Sequence, residues 1–182
     1  MSRPTHLLKH QHRVIEQAMR ALEGMCIRIR AGESVPDEEM SKLLFFIRDY
    51  ADGFHHAKEE AHLFPVLIQA GIKDENGPLT FLRHEHETER RLLSELVQAV
   101  AEYQRDPKSG EKFVAAALQF KDHLINHMQQ EDAILFLLAE EMLEDQVKDS
   151  LIRALATEDN ESQKMIQGYE KLARELEQAW TV

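Results

Sequence analysis

Apolar residues recur every three or four positions along most of the chain, the period of an amphipathic helix. Leu8, His12, Ile15, Met19, Leu22 and Cys26 lie on one helix face, with a histidine inside the stripe. Thr5 after Pro4 starts this helix and Ala31-Gly32 ends it. A second stripe follows Pro36-Asp37: Met40, Leu44, Ile47, Ala51, His55, Glu59, Leu63 and Val66, with Pro65 expected to kink the helix. A third helix is predicted over 78–104, with Leu79, Leu82, His86, Leu93, Val97 and Val100 inward. After the Asp106–Gly110 loop, a fourth stripe runs Phe113, Ala117, Phe120, Leu124, His127, Glu131, Ile134 and Leu138. Two further helices are predicted over about 142–157 and 160–179, parted by Thr157–Asn160. The pattern predicts an all-α fold: an antiparallel up-down four-helix bundle over about 5–140, with two additional C-terminal helices packed on it. No Gly-, Pro- or Ser-rich linker divides the chain, so residues 1–182 are read as a single domain.

Several stripe positions are polar. Burying Glu59 or Glu131 without a partner is costly, and the partners on these stripes are histidines, not lysines or arginines. The segment HHAKEEAHLF (55–64) overlays HMQQEDAILF (127–136) at an offset of 72. His55 then corresponds to His127, Glu59 to Glu131, and Leu63-Phe64 to Leu135-Phe136. Each half carries HxxxE, whose i, i+4 spacing puts imidazole and carboxylate on one helix face, about 6 Å apart along the axis. That spacing lets the imidazole bind one metal while the carboxylate reaches a second. An ordinary buried His–Glu contact in a helical interaction module is the competing reading.

Composition narrows the function classes. The chain has 182 residues, 43% hydrophobic and 30% charged, in the range of a globular domain with a real core. A net charge of −11 argues against nucleic acid and anionic membranes as partners. One cysteine, Cys26, excludes an intrachain disulfide and any CxxC site, and it is read with Met19 and Met25 as core packing. No signal peptide or apolar span is visible, which predicts a cytoplasmic protein. Only one Glu-x-x-His spacing occurs, Glu59 to His62, where ferritin-like di-iron proteins need two. HExxH, P-loop and GxSxG motifs are absent, so no established catalytic constellation stands out.

Four pieces in order, His12 within QHRVIE, HHAKEE with LFP, His86 within HEHETERR, and HMQQED with LF, resemble the hemerythrin-like, or HHE cation-binding, proteins. The resemblance covers roughly residues 5–140. It implies a four-helix bundle holding two non-heme iron ions, with a bridging oxo or hydroxo group; the donor set also suits manganese or zinc. Carried over by position, the ligands are His12, His55, Glu59, His86, His127 and Glu131. His56 is included as the extra helix-two ligand of relatives lacking a second third-helix histidine. The oxygen carriers of the family have HxxxH on the third helix. Here Arg90 stands four residues after His86 and Leu82 four before it, which argues against simple reversible O2 carriage. Asp132 competes with Glu131 for the fourth-helix carboxylate, though the 72-residue offset favours Glu131.

Glu60 and Lys58 are read as outward-facing, His62 and His123 as neighbours of the ligands, and His6, His10 and His84 as lying off the inner face. Leu44, Ile47, Leu124 and Ile134 are expected to keep water from the metals. The resulting expectation is a di-iron protein that binds or senses O2, NO or peroxide. An iron or metal homeostasis or storage protein, stabilised by its metal, is the alternative. Peroxide or NO chemistry at the metal pair is compatible with either, as is a homodimer.

Overall fold

A computed structural model of the chain describes residues 4–181. Its elements are helical, and no strand occurs among the described residues. Helix α1 is His6–Arg30. The second bundle helix begins as α2, Asp37–Phe46, widens into π-helical turns over Ile47–His56 and Glu59–Leu63, and closes as α3, Phe64–Gln69. Helix α4 is Pro78–Arg105. A short 3-10 turn, Pro107–Ser109, leads into α5, Gly110–Gln130. This helix widens again at Glu131–Leu135 and ends as α6, Phe136–Met142. Two C-terminal helices follow, α7 (Asp145–Glu161) and α8 (Gln163–Trp180).

Helix α1 packs on α5 and α8, α4 packs on α5, and α2 also packs on α8. This is the expected up-down bundle with two added helices. Its core is in two apolar parts. One holds Ile15, Leu22, Phe46, Phe54, Leu92, Phe120 and Leu124 with Tyr169 and Trp180 of α8. The other holds Leu8, Leu63, Phe64, Leu82, Leu135 and Phe136 with Leu151 and Leu155 of α7. Along every bundle helix a polar stretch separates the two: His12 on α1, His55 to Glu59 on the second helix, His86 and Glu89 on α4, and His127 and Glu131 on the fourth.

The wide turns account for where the sequence stripe misleads. A π turn takes one more residue than an α turn, so everything beyond it rotates to a new face. Ile134, expected inside, is 54% exposed, and Leu135 is buried in its stead. On the second helix the wide turns bring His55 and His56 inward together, and Lys58, expected outside, is 1% exposed. Leu44 and Leu138 are only half-buried. On α4 the buried face runs through Glu89, Leu92 and Leu96, while Leu93 is half-buried and Val97 is 45% exposed, beside the second helix. Pro65 sits in the first turn of α3, where a missing N–H costs little, and the helix continues through it.

The break between the C-terminal helices falls at Ser162, not at 157–160. Thr157 is held within α7 by its hydroxyl, which donates to the Arg153 carbonyl at 2.8 Å. Helix α8 buries Tyr169, Ala173, Leu176 and Trp180. At its end the Trp180 indole N–H donates to Glu39 at 3.1 Å, and its backbone lies directly on Gly24 of α1. A Cβ at position 24 would overlap the Trp180 carbonyl, a backbone group that cannot swing aside. Gly24→Ala is therefore expected to push the last turn of α8 off α1 and to cost about 1–3 kcal/mol. Thermal unfolding checks this, and an unchanged Tm would contradict the close approach.

Candidate metal centre

The polar belt is built from side chains that the helices force inward. His12, His55, Glu59, His86, His127 and Glu131 have no exposed area, and His56 is 1% exposed. Their donor atoms fall into two groups, His12, His55, Glu59 and Glu131, and His56, Glu59, His86 and His127. Within each group the atoms lie within 4.8 Å of one another. All seven residues singled out in the sequence are thus brought together.

The carboxylates span both groups. Glu131 Oε2 lies 3.4 Å from His12 Nε2, and its Oε1 lies 3.3 Å from His127 Nε2. Glu59 Oε1 lies 3.8 Å from His55 Nε2, and its Oε2 lies 3.6 Å from His86 Nε2. Each carboxylate therefore turns one oxygen to each side. All four of these oxygens are buried without a hydrogen-bond partner, a costly state for a carboxylate.

The imidazoles are oriented from behind. His12 Nδ1 is 3.0 Å from Asp132 Oδ1, and His86 Nδ1 is 2.7 Å from Glu60 Oε1. A carboxylate only accepts, so these Nδ1 atoms carry the protons. His55 Nδ1 donates in the same way to Gln11 Oε1 at 3.1 Å. In the neutral ring, Nε2 is then left with a lone pair. Yet His12 Nε2 and His55 Nε2 face each other at 3.0 Å, and His86 Nε2 and His127 Nε2 at 3.2 Å. In the metal-free chain a proton on one Nε2 of each pair bridges the two rings, and a cation set before both would take that proton's place. Ligands about 2.1 Å from one ion, at right angles, are about 3.0 Å apart. The belt fits metal ions by this spacing, by its orphaned oxygens and by outer partners that fix each ring. Phe136 stacks on His12 and Phe64 on His86, at 5.3 and 5.9 Å between ring centres. The repeated Leu-Phe pairs thus cap the belt on both halves.

Without metal the titrations are strongly perturbed. Burial, with Glu131 beside it, pushes the Glu59 carboxyl well above its usual range. Glu131 stays ionised despite burial because His127 and His12 face it. Burial lowers His56 to about 4 and His127 to about 3. His12 is also opposed by burial, but Asp132 and Glu131 raise it. The belt therefore holds an ionised Glu131 against the His12 ring, with Glu59 protonated and His55, His56 and His127 kept neutral by burial.

The outer residues resolve the open choices. Asp132 is half-buried and orients His12, while Glu131 is the inward carboxylate. His84 is exposed and His86 buried. His62 pairs with Glu158 of α7 at 3.0 Å, and His123 lies 3.3 Å from the Glu85 carbonyl, so neither reaches the belt. Arg90 is turned outward, its Nε donating to Asp52 at 2.8 Å and its Nη2 to Glu60 at 3.1 Å. Sequence reasoning missed Glu89, which is 4% exposed with Oε2 3.2 Å from His56 Nε2. Partners for His86 were sought four residues away in each direction, whereas Glu89 lies three residues on, on the same helix face. It also missed Gln11, which precedes His12 and gives no periodic signal.

The chain is similar to known proteins over most of its length. The sequence profile of the hemerythrin HHE cation binding domain matches residues 3–139 and again 81–181. An iron-sulfur cluster repair protein, DnrN, of Neisseria gonorrhoeae is 26% identical over 136 residues, which is 72% of this chain and 85% of that protein. No solved structure matches the chain.

The raised Glu59 carboxyl fixes the sign of a stability test. Folding favours its protonated form, so its contribution is full below the ordinary carboxylate range and is lost as pH rises towards the raised value. Glu59→Gln is expected to stabilise the metal-free chain at pH 7, by on the order of 1 kcal/mol or about 2–4 °C in Tm. The gain should vanish below the ordinary carboxylate range. Melting curves of metal-free protein at pH 7 and pH 4 check it; a lower Tm for the variant at pH 7 would refute the cost assigned to Glu59.

Proposed function

Because the chain belongs to the hemerythrin HHE cation-binding family, we propose that its buried belt holds two iron ions and offers them to a small molecule such as O2, NO or peroxide. The observation that carries this reading is the two facing imidazole pairs, His12 with His55 and His86 with His127, set at the spacing of two ligands of one ion. His12 and His55 would hold one ion and His56, His86 and His127 the other. Glu59 and Glu131, with one oxygen turned to each group, would join them. Such a pair supplies a coordination position for a small molecule and electrons to exchange with it. With both carboxylates counted, the His12 side offers four protein donors and the His56 side five, so the position for an incoming ligand would lie on the His12 side.

The chain's own residues do the rest. Asp132, Gln11 and Glu60 hold the Nδ1 protons of His12, His55 and His86, keeping each Nε2 available. The two apolar clusters exclude bulk water from above and below. The relative assigned by its name to iron-sulfur cluster repair supports iron over manganese or zinc. It also favours a second reading, in which the pair stores or supplies iron. A large stabilisation by Fe(II) without any reaction with NO or O2 would select that one. Among the described residues no helix is long and apolar enough to cross a membrane, which is compatible with work in the cytoplasm.

Protein from iron-supplied aerobic culture is expected to hold about two irons per chain, with the near-UV absorption of a ferric pair. His55→Ala with His127→Ala should abolish this and bring the Tm to that of the stripped wild-type chain. Metal analysis with melting curves decides it; a wild-type chain without metal would overturn the reading. Loading should also release protons, because Glu59 and the His12 ring must lose theirs. Affinity is therefore expected to fall as pH falls below 7, as metal titration in unbuffered solution will measure.

A further inference from the structure

A groove of about 500 Å³ lies between the second helix and α4, lined by Leu44, Phe45, Leu93 and Val97. At its floor stand Arg90 and Asp52. Behind these two lies a small cavity of about 10 Å³, which Asp52, Arg90 and Leu93 also line. The far wall of that cavity is His56 and Glu89.

We propose that this groove is the way in to the metal centre and that Arg90 is its gate, admitting small uncharged molecules past His56 into the polar belt. The proposal rests on the metal-centre reading. Three features of the structure favour it. The groove is walled by aliphatic and aromatic side chains, which suits a neutral molecule better than a hydrated ion. The inner cavity has the volume of roughly one water-sized probe, so it passes a molecule of two or three atoms and nothing larger. The ionised Asp52 carboxylate lines both the groove and the inner cavity, which disfavours anions.

Arg90 closes the throat by bridging two carboxylates, Asp52 at 2.8 Å and Glu60 at 3.1 Å. Its side chain is 43% exposed, so it can leave that position for solvent without being buried elsewhere. Both bridged carboxylates also face ring nitrogens of the belt. Asp52 lies 3.6 Å from His56 Nδ1, and Glu60 is 2.7 Å from His86 Nδ1. His56 and His86 are themselves stacked, with ring centres 4.1 Å apart. Arg90 is therefore a positioning residue as well as a gate. While it is closed, it holds the two carboxylates that steady a stacked pair of histidines.

The test compares wild type with Arg90→Ala, Arg90→Lys and Leu93→Trp. Nitric oxide association is followed by stopped-flow absorbance on the iron-loaded, reduced protein. Arg90→Ala should bind NO at least several-fold faster, Arg90→Lys should return towards the wild-type rate, and Leu93→Trp should bind several-fold slower. Iron content should be equal in all four. Equal rates in all four, at equal iron content, would overturn the route while leaving the metal centre standing. Independently, crystals of the metal-free chain under xenon pressure should show xenon in the groove, and in Arg90→Ala also beside His56. Xenon absent from both would overturn the route whatever the metal content. If the wild-type chain holds no iron, the metal-centre reading fails, and the xenon result alone judges the route.

Discussion

Everything in this bundle answers to two carboxylates at its centre. Glu59 and Glu131 have no exposed area and four oxygens without hydrogen-bond partners. The chain surrounds them with imidazoles instead of fixed cations, and an imidazole deep in a protein is mostly neutral. Burial keeps His55, His56 and His127 neutral, while Asp132 and Glu131 raise His12 against the pull of burial. A metal-free belt is therefore short of positive charge, and divalent ions are what would supply it. Loading would relieve that deficit, and the integrity of the fold would then be coupled to metal occupancy.

The rest of the architecture keeps that unfavourable belt intact. Two apolar clusters clamp it from both ends, and each Leu-Phe pair of the repeated segment buries a phenyl ring against a histidine. The π turns are the local means. Successive residues of an α-helix point about 100° apart, and the wide stretch Ile47–His56 narrows that angle so that His55 and His56 both turn into the belt. Wide turns lie on both helices whose HxxxE pair faces inward, His55 with Glu59 and His127 with Glu131, and on neither α1 nor α4, which each give the belt a single histidine. The strain of widening thus falls where donors are densest.

The bundle, the HxxxE pairs and the lone histidines of α1 and α4 were all legible in the sequence. These features depend on period 3.6 alone, and the 72-residue repeat set the register of the two richest segments. What escaped it depends on departures from that period or on contacts distant in sequence. Ile134 and Lys58 were placed on the wrong faces because a π turn leaves no compositional mark. Glu89 was passed over because i, i+3 was not weighed beside i, i+4. Arg90 was visible as a missing histidine. Its arch over Asp52 and Glu60 was not, since it joins residues 38 and 30 positions apart.

The C-terminal helices follow from the same constraint. Lys58, next to Glu59, is turned into the protein by the wide turns and lies 4.1 Å above the Phe54 ring. Burial pulls its ammonium down to about 8, so the group needs a counter-charge to stay protonated comfortably at neutral pH. Asp159 supplies it from α7, and Glu158 beside it takes His62. Helix α7 is therefore tied by two acidic residues to the stretch of the second helix that holds Glu59. Helix α8 fastens the other end through α1, on which its last turn lies at Gly24. A four-helix bundle alone would leave Lys58 and the widened second helix facing water. The added pair covers that weakness and holds the turns in the geometry that the central carboxylates require.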